Sequence, residues 1–459
     1  MREGSLEAPI RHPLAWTDPD FTDAEKIDAE LRRVFDVCHT CRRCFNLCDS
    51  FPRLFDLIDN AKTGELDSVA SSDFKPVVDA CTLCDMCFMT KCPYVPPHEF
   101  NIDFPHLMLR YRAAELAKGE IPFAERQLTK TDRNAKIGEF LAPLANWATS
   151  RKNNFARAAM EKIVHVDRNA DLPQYHRKSF TALAKSDPIT PNREAPGFGR
   201  KAVIYATCFA NYNNPNIGLA ARAILARNGV ETEVAYPGCC GMPQLEHGDI
   251  AAVAENARKV AKELCGFVDK GYDVVALVPS CALMLKFEWL LILPDDPDIK
   301  RLAQATYDAS EYVVDIARHE GLAPGLKPLD RAVTVHIACH ARAQNMGQKA
   351  AEMLRLIPDT PINVIERCSG HGGSWGVFKG NFETALKVGA PVARQAARLA
   401  RESAEQANGA PAPYVASECP LAGAHIVQGM EKLDGGLVEA GAPHPIELFA
   451  RAYGLSFTD

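Results

Sequence analysis

From about residue 199 onward, short apolar runs alternate with longer stretches in which apolar residues recur every three or four positions. This pattern predicts strands alternating with crossover helices. The runs KAVIYAT, ETEVAYP and YDVVALVPS come first, and AVTVHIA, INVIER and PYVASE follow in the same order. Their repetition predicts two doubly wound α/β halves related by duplication, with Asp249–Leu264 and Asn381–Glu402 among the crossovers. Before residue 199 the periodicity is helical, with helices predicted at Ala24–Asp36 and His106–Lys118. In IGEFLAPLANWA, Ile137, Phe140, Leu141, Leu144 and Trp147 fall near one helical face. The first reading of that face is a helix packed on the next domain; the second is a patch that docks on a membrane surface or a membrane-bound subunit. These shifts divide the chain into an N-terminal segment (1–30), a cysteine-rich helical unit (31–120), a helical linker (121–198) and two α/β repeats (199–325 and 326–459).

Composition narrows the class. With 459 residues, 47% hydrophobic and 24% charged, the chain has the make-up of a globular protein of about three domains. A net charge of −6 provides no broad basic face, so nucleic acid is not an expected partner. The most apolar stretch, Val274 to Leu293, is interrupted by Pro279, Lys286 and Glu288 and is expected to be a buried strand, a turn and a core helix. The opening MREGSLEAPIRHPLAWTDPD has no apolar export region, which predicts a cytoplasmic protein with reduced thiols, peripheral on the inner face of the membrane if the docking face is used.

The chemistry lies in the cysteines. Two runs, Cys38-x2-Cys41-x2-Cys44-x3-Cys48 and Cys81-x2-Cys84-x2-Cys87-x4-Cys92-Pro93, each place three thiolates on one tight loop and a fourth too far along to return to the same centre. Exchange of the fourth ligands predicts two [4Fe–4S] clusters, one on Cys38, Cys41, Cys44 and Cys92 and the other on Cys81, Cys84, Cys87 and Cys48. Zinc needs no third cysteine at that spacing, and haem attachment needs a histidine after the second cysteine. The fold class expected is therefore α+β multidomain: an N-terminal helical two-cluster ferredoxin-like domain followed by the duplicated α/β domain.

A second set of cysteines lies just beyond the predicted strands, where open α/β sheets bind ligands. The first repeat has Cys208, Cys239, Cys240 and Cys281; the second has Cys339, Cys368 and Cys419. Adjacent Cys239 and Cys240 serve one site only if the backbone turns sharply, which Gly238 and Gly241 permit. For the first repeat's four the candidates are a further iron–sulfur cluster, including a noncubane one, zinc, or a redox dithiol of Cys239 and Cys240; the second repeat's three would hold a cluster with an open or non-cysteine fourth site. His336, His340 and His371 stand close enough in sequence to complete a three-thiolate site, against the alternative of hydrogen-bonded structural histidines. Cys265 reads as apolar filler.

These motifs, with MEKIVHVDRNADLPQYHRKSF at 160–180 and the run from Cys339 through His340, Arg342 and Gln344 to Gly347, resemble the CCG-domain iron–sulfur oxidoreductases over residues 31 to 459. That family includes the iron–sulfur subunit of anaerobic glycerol-3-phosphate dehydrogenases and the heterodisulfide-reductase-related proteins. In the heterodisulfide branch the motif Cys…Cys-Cys-Gly…Cys-x-x-Cys holds a noncubane cluster that cleaves a disulfide. Here Met284 replaces its last cysteine in the first copy, and Ser369 and Ala422 replace two in the second. The glycerol-3-phosphate branch passes electrons from a flavin dehydrogenase to quinone through a chain that binds no flavin, and this chain likewise has no Gly-x-Gly-x-x-Gly after a strand. The resemblance implies an electron-transfer subunit of an oxidoreductase, without its own flavin, that relays electrons between a flavoprotein dehydrogenase or other redox protein and a further acceptor such as a membrane-bound quinone-linked subunit. The alternative is a disulfide- or thiol-linked reductase with catalysis at the CCG-domain cluster.

Overall fold

The computed structural model describes residues 9–406, 411–434 and 441–457. The start of the expected N-terminal segment and parts of the second repeat thus lie outside the described residues. All six predicted runs form short strands, four of them largely buried as parallel strands covered on both faces must be, while the edge strands Glu231–Ala235 and Ile362–Ile365 are more open to solvent. The first sheet contains β1 (Lys201–Tyr205), β2 (Glu231–Ala235), β3 (Asp273–Ala276) and β4 (Thr306–Asp308), all parallel, in the order β2-β1-β3-β4. The second contains β5 (Val333–His336), β6 (Ile362–Ile365) and β7 (Tyr414–Ser417), also parallel, in the order β6-β5-β7. Both sheets therefore place the second strand and the third on either side of the first. β4 was not among the predicted runs: three residues are too few for a periodic pattern, and its pairing with β3 makes it a strand.

Three apolar clusters hold these layers. The N-terminal helices share the largest with one face of the first sheet, where Phe35, Leu54 and Met108 join Val253, Met284 and Trp289. A second cluster lies between the two sheets and joins Ile204 and Val275 to Val333, Val335 and Phe449. The third lies outside the second sheet, around Val392, Ala396 and Ile426. The apolar stretch 274–293 is buried as strand, short helix and π-turn (Met284–Glu288), and no helix among the described residues is long and apolar enough to cross a membrane.

The first N-terminal helix runs Ala24–Cys41, capped by the Asp23 carboxylate, which accepts the Lys26 N–H at 2.9 Å. Ile27, Leu31, Val34 and Phe35 form its buried stripe. It continues past the predicted end, so Cys38 and Cys41 occupy its last turn instead of a loop, and Arg42 stops it in the left-handed region at φ 51°. The predicted amphipathic helix at 137–147 is two helices, Thr131–Phe140 and Ala142–Thr149, broken where Pro143 starts the second. Its apolar face is not packed on the next domain: Phe140 is 87% exposed and Trp147 60%.

A buried charge cluster ties the parts together. The Arg11 guanidinium donates to Asp85 at 2.8 Å, Asp103 at 2.8 Å and Glu288 at 3.2 Å, so one side chain joins the N-terminal segment, the second cysteine run, the following helix and the first repeat. Burial raises the Asp103 carboxyl, but Arg11 and His106 outweigh it and hold the group at about 2. Arg11→Ala would leave three buried carboxylates without their cation and is expected to cost about 3–5 kcal/mol, measured as a lower urea midpoint. Asp103 stabilises the fold fully above the ordinary carboxylate value of about 4, and this contribution is lost as the pH falls toward about 2. Asp103→Asn should therefore flatten the acid limb of a stability–pH curve between those values.

Candidate functional site

The structure places the cysteines in four neighbourhoods. In the first, Cys38 and Cys41 project from the last helical turn, and the left-handed Arg42 redirects the chain so that Cys44 follows on the same side. Cys92 joins them from the second run. Burial, then Cys92, Cys44 and Cys41, push the Cys38 thiol far above its ordinary value. Burial with Cys92 and Cys41 raises Cys44 to about 12. Beside this group Asp59 accepts from Arg42 and lies 2.8 Å from His39 Nε2, which locks the turn from outside.

The second neighbourhood contains Cys81, Cys84, Cys87 and Cys48. Leu83 and Asp85 adopt positive φ, which winds the Cys81–Cys87 loop tightly. The π-turn Cys87–Lys91 is closed by the Cys92 N–H donating to the Cys87 carbonyl at 2.8 Å. Arg112 pins the loop by donating to the Val78 carbonyl at 2.7 Å and to that of Cys81. Burial, then Cys84 and Cys81, raise the Cys48 thiol. Burial, Cys84 and Cys81 act in the same order on Cys87.

The third lies at the carboxyl rim of the first sheet. Thr207, directly before Cys208, has φ 54° and ψ 158°, a region that costs a β-branched residue about 1–3 kcal/mol and marks a constrained position. Its hydroxyl accepts the Ala210 N–H at 3.2 Å, which offsets part of that cost. The adjacent pair is turned by Gly241 at φ 89°, where a Cβ would lie 3.3 Å from Val253. Cys240 Sγ sits 3.3 Å from Cys281 Sγ, and Cys239 Sγ accepts the Gly241 N–H at 3.5 Å. Hydrogen bonds from Cys208 and then Cys240 lower the Cys239 thiol, and that sharing raises Cys208 and Cys240.

This neighbourhood also has a supporting shell that was not among the predicted site residues. Asp132, from the 121–198 segment, accepts the Cys239 N–H at 3.1 Å and the Tyr236 hydroxyl. Tyr205 donates to the Gly238 carbonyl at 2.7 Å, and Trp289 Nε1 donates to that of Cys240 at 3.1 Å. Burial and then the neighbouring thiols raise both tyrosines. Asp132 stands more than a hundred residues from Cys239 in a polar helical stretch, so no local pattern marks it.

In the second repeat Cys339 is within hydrogen-bonding reach of both Cys368 and Cys84, while the thiol neighbour that raises Cys419, after burial, is Cys281. His336 is structural. Its Nε2–H donates to the Arg367 carbonyl at 2.9 Å and its Nδ1 accepts the Ser417 hydroxyl at 2.9 Å, so neither nitrogen is free for a metal. His340 donates to the Leu83 carbonyl at 3.3 Å. Burial depresses the His371 imidazole to about 3. Cys265 donates to the Asp298 carbonyl at 3.3 Å, apart from all four groups.

Each of the first three neighbourhoods gathers four sulfur-bearing side chains, a donor type that suits a soft, thiophilic centre, although among the described residues no three stand in a ready metal-holding arrangement. The chain matches the CCG cysteine-rich domain family over residues 202–286. It is similar to a subunit of the anaerobic glycerol-3-phosphate dehydrogenase of Escherichia coli, with 28% identity over 277 residues, 58% of this chain and 66% of that protein. The match to that relative thus spans just under two thirds of its length. Lactate utilization protein A of Geobacillus thermodenitrificans is 32% identical over 193 residues, 39% of this chain and 76% of that protein. A subunit of the fumarate reductase (CoM/CoB) of Methanothermobacter marburgensis is 26% identical over 261 residues, 56% of this chain and 47% of that protein. Asp132→Ala would leave the Cys239 N–H and the Tyr236 hydroxyl without their acceptor and is expected to cost about 1–3 kcal/mol of stability in chemical denaturation, with Asp132→Asn costing less.

Proposed function

The chain belongs to the CCG-domain family of iron–sulfur oxidoreductases, and from that premise we propose that it is the electron-relay subunit of a larger redox assembly. It takes electrons from a partner flavoprotein dehydrogenase and passes them to a further acceptor. The observation that carries this reading is the succession of four-thiol neighbourhoods through the interior, with Cys44 felt at Cys87 between the first two. In this reading Cys38, Cys41, Cys44 and Cys92 hold one [4Fe–4S] cluster and Cys48, Cys81, Cys84 and Cys87 a second. Cys208, Cys239, Cys240 and Cys281 hold a third iron–sulfur centre. Such clusters, when bound, supply one-electron acceptance and release at little structural cost.

The protein's part is to desolvate and orient. Desolvation, with the crowding of neighbouring cysteines, raises these thiols and makes their negative charge depend on a bound cationic centre. Asp132, Tyr205 and Trp289 hold the Cys239–Cys240 turn rigid through the backbone, which keeps rearrangement on electron transfer small. Met284, fully buried where the disulfide-cleaving branch of the family has a cysteine, provides no extra thiolate, which favours relay over substrate reduction.

The helices between 123 and 164 form the docking face of this reading. Phe140, Trp147 and Phe155 are exposed there, with Phe155 at 84%, among exposed Lys130, Lys136, Lys152 and Lys162. Aromatic and basic side chains together on a protein with net charge −6 suit an anionic membrane surface.

Two measurements check these assignments. Anaerobically purified protein is expected to hold about twelve irons per chain, and Cys208→Ser about eight, with rapid bleaching by a reduced flavoprotein lost or slowed in the variant. A wild-type count of about eight would remove the third centre from the relay. In co-sedimentation with phosphatidylglycerol vesicles, Phe140→Ser/Trp147→Ser/Phe155→Ser is expected to bind at least about tenfold more weakly than wild type; equal binding would exclude this face.

A further inference from the structure

The rim of the second sheet differs from that of the first in a way that changes its chemistry. On β1 and β2, Tyr205 is in register with Ala235, so Cys208 lies three residues past the registered pair and Cys239 four, with Cys240 next to it. On β5 and β6, His336 is in register with Ile365, so Cys339 and Cys368 each lie three residues past it. The two cysteines thus follow paired, neighbouring strands at equal distance along the chain, and Ser369 replaces the adjacent thiol. Chains leaving neighbouring strands about 4.8 Å apart start within the Cα separation of about 4.4–6.8 Å that a disulfide spans, and Cys339 opens the short helix Cys339–Ala343.

We propose that Cys339 and Cys368 are a two-electron redox pair, a disulfide when oxidised and two thiols when reduced, placed to exchange electrons with the centre held by the Cys84 neighbourhood. Cys339 is within hydrogen-bonding reach of both Cys368 and Cys84, so it sits between its partner and that group. Cys368 lies in the field of Cys48 of the same group. The Gly370 N–H donates to Cys368 Sγ at 3.4 Å, as suits a thiol that becomes an anion during exchange. His340 fastens the turn carrying Cys339 to the loop carrying Cys84 through the Leu83 carbonyl at 3.3 Å. Both residues are partly exposed. In reduction the S–S bond takes two electrons, one at a time, from a one-electron iron–sulfur donor and two protons from solvent, and two S–H bonds form. A one-electron relay thereby gains a two-electron store.

This inference rests on the relay reading only for its electron source. The test uses anaerobic holoprotein equilibrated with oxidised and reduced glutathione at a series of ratios, alkylated and digested with trypsin. Cleavage places Cys339 in peptide 332–342 and Cys368 in peptide 368–379. The expected result is a linked 332–342/368–379 species that appears on oxidation and disappears on reduction while iron per chain stays constant. Cys368→Ser should abolish that species and keep the wild-type iron content. Absence of the linked species at every ratio would overturn the pair. Loss of about four irons per chain in Cys339→Ser or Cys368→Ser would also overturn it, because the residues would then be cluster ligands. Failure of a flavoprotein to reduce the protein would count against the relay alone, since the glutathione titration does not depend on it.

Discussion

The rest of the structure depends on how many thiols are brought together out of water. A buried thiol resists ionisation, and each ionised neighbour raises the cost of the next. Cys38, Cys48 and Cys87 are all driven far up by burial and by other cysteines. Thiols this crowded resist becoming thiolates unless cationic charge compensates them. The chain shapes these neighbourhoods with backbone devices: left-handed turns at Arg42, Leu83 and Asp85, the strained Thr207, and Gly241 between the cysteine pair and its following helix.

The same constraint explains the polar scaffolding. Beside the apolar side chains that the Cys81–Cys87 loop buries, such as Leu83 and Met86, charged groups fix it from behind. Arg112 holds the Cys81 loop by its carbonyls, and Arg11 gathers carboxylates from the loop, the following helix and the first repeat. The Arg11 site converts electrostatic complementarity into the relative placement of the N-terminal helices and the first sheet, while the apolar cluster they share supplies the bulk of the cohesion. The two sheets meet through their own apolar cluster, which keeps the second repeat against the first.

The two rims show how one register step redirects chemistry. With Cys239 four residues past its registered pair and Cys240 behind it, the first sheet gathers four sulfurs. With Cys339 and Cys368 each three residues past a registered pair, the second sheet brings two cysteines to one rim, near Cys84. The change of Cys to Ser at 369 thus matters less for the ligand it removes than for the geometry it leaves.

Much of this was legible along the chain. Strands β1, β3, β5 and β7 announce themselves because a buried parallel strand is a short apolar run, the edge strands β2 and β6 are legible from their place in the repeated pattern, and cysteine spacing itself groups the thiols that share one turn. What only the tertiary structure decided involves contacts between distant segments. Asp132 reaches Cys239 across more than a hundred residues, β4 is a strand only because β3 is beside it, and the 137–147 face is solvent-exposed because nothing folds over it. His336 is structural because Arg367 and Ser417 take both its nitrogens. Local sequence specifies which side chains share a turn or a strand; which turns and strands then face one another is set by the packing of the whole chain.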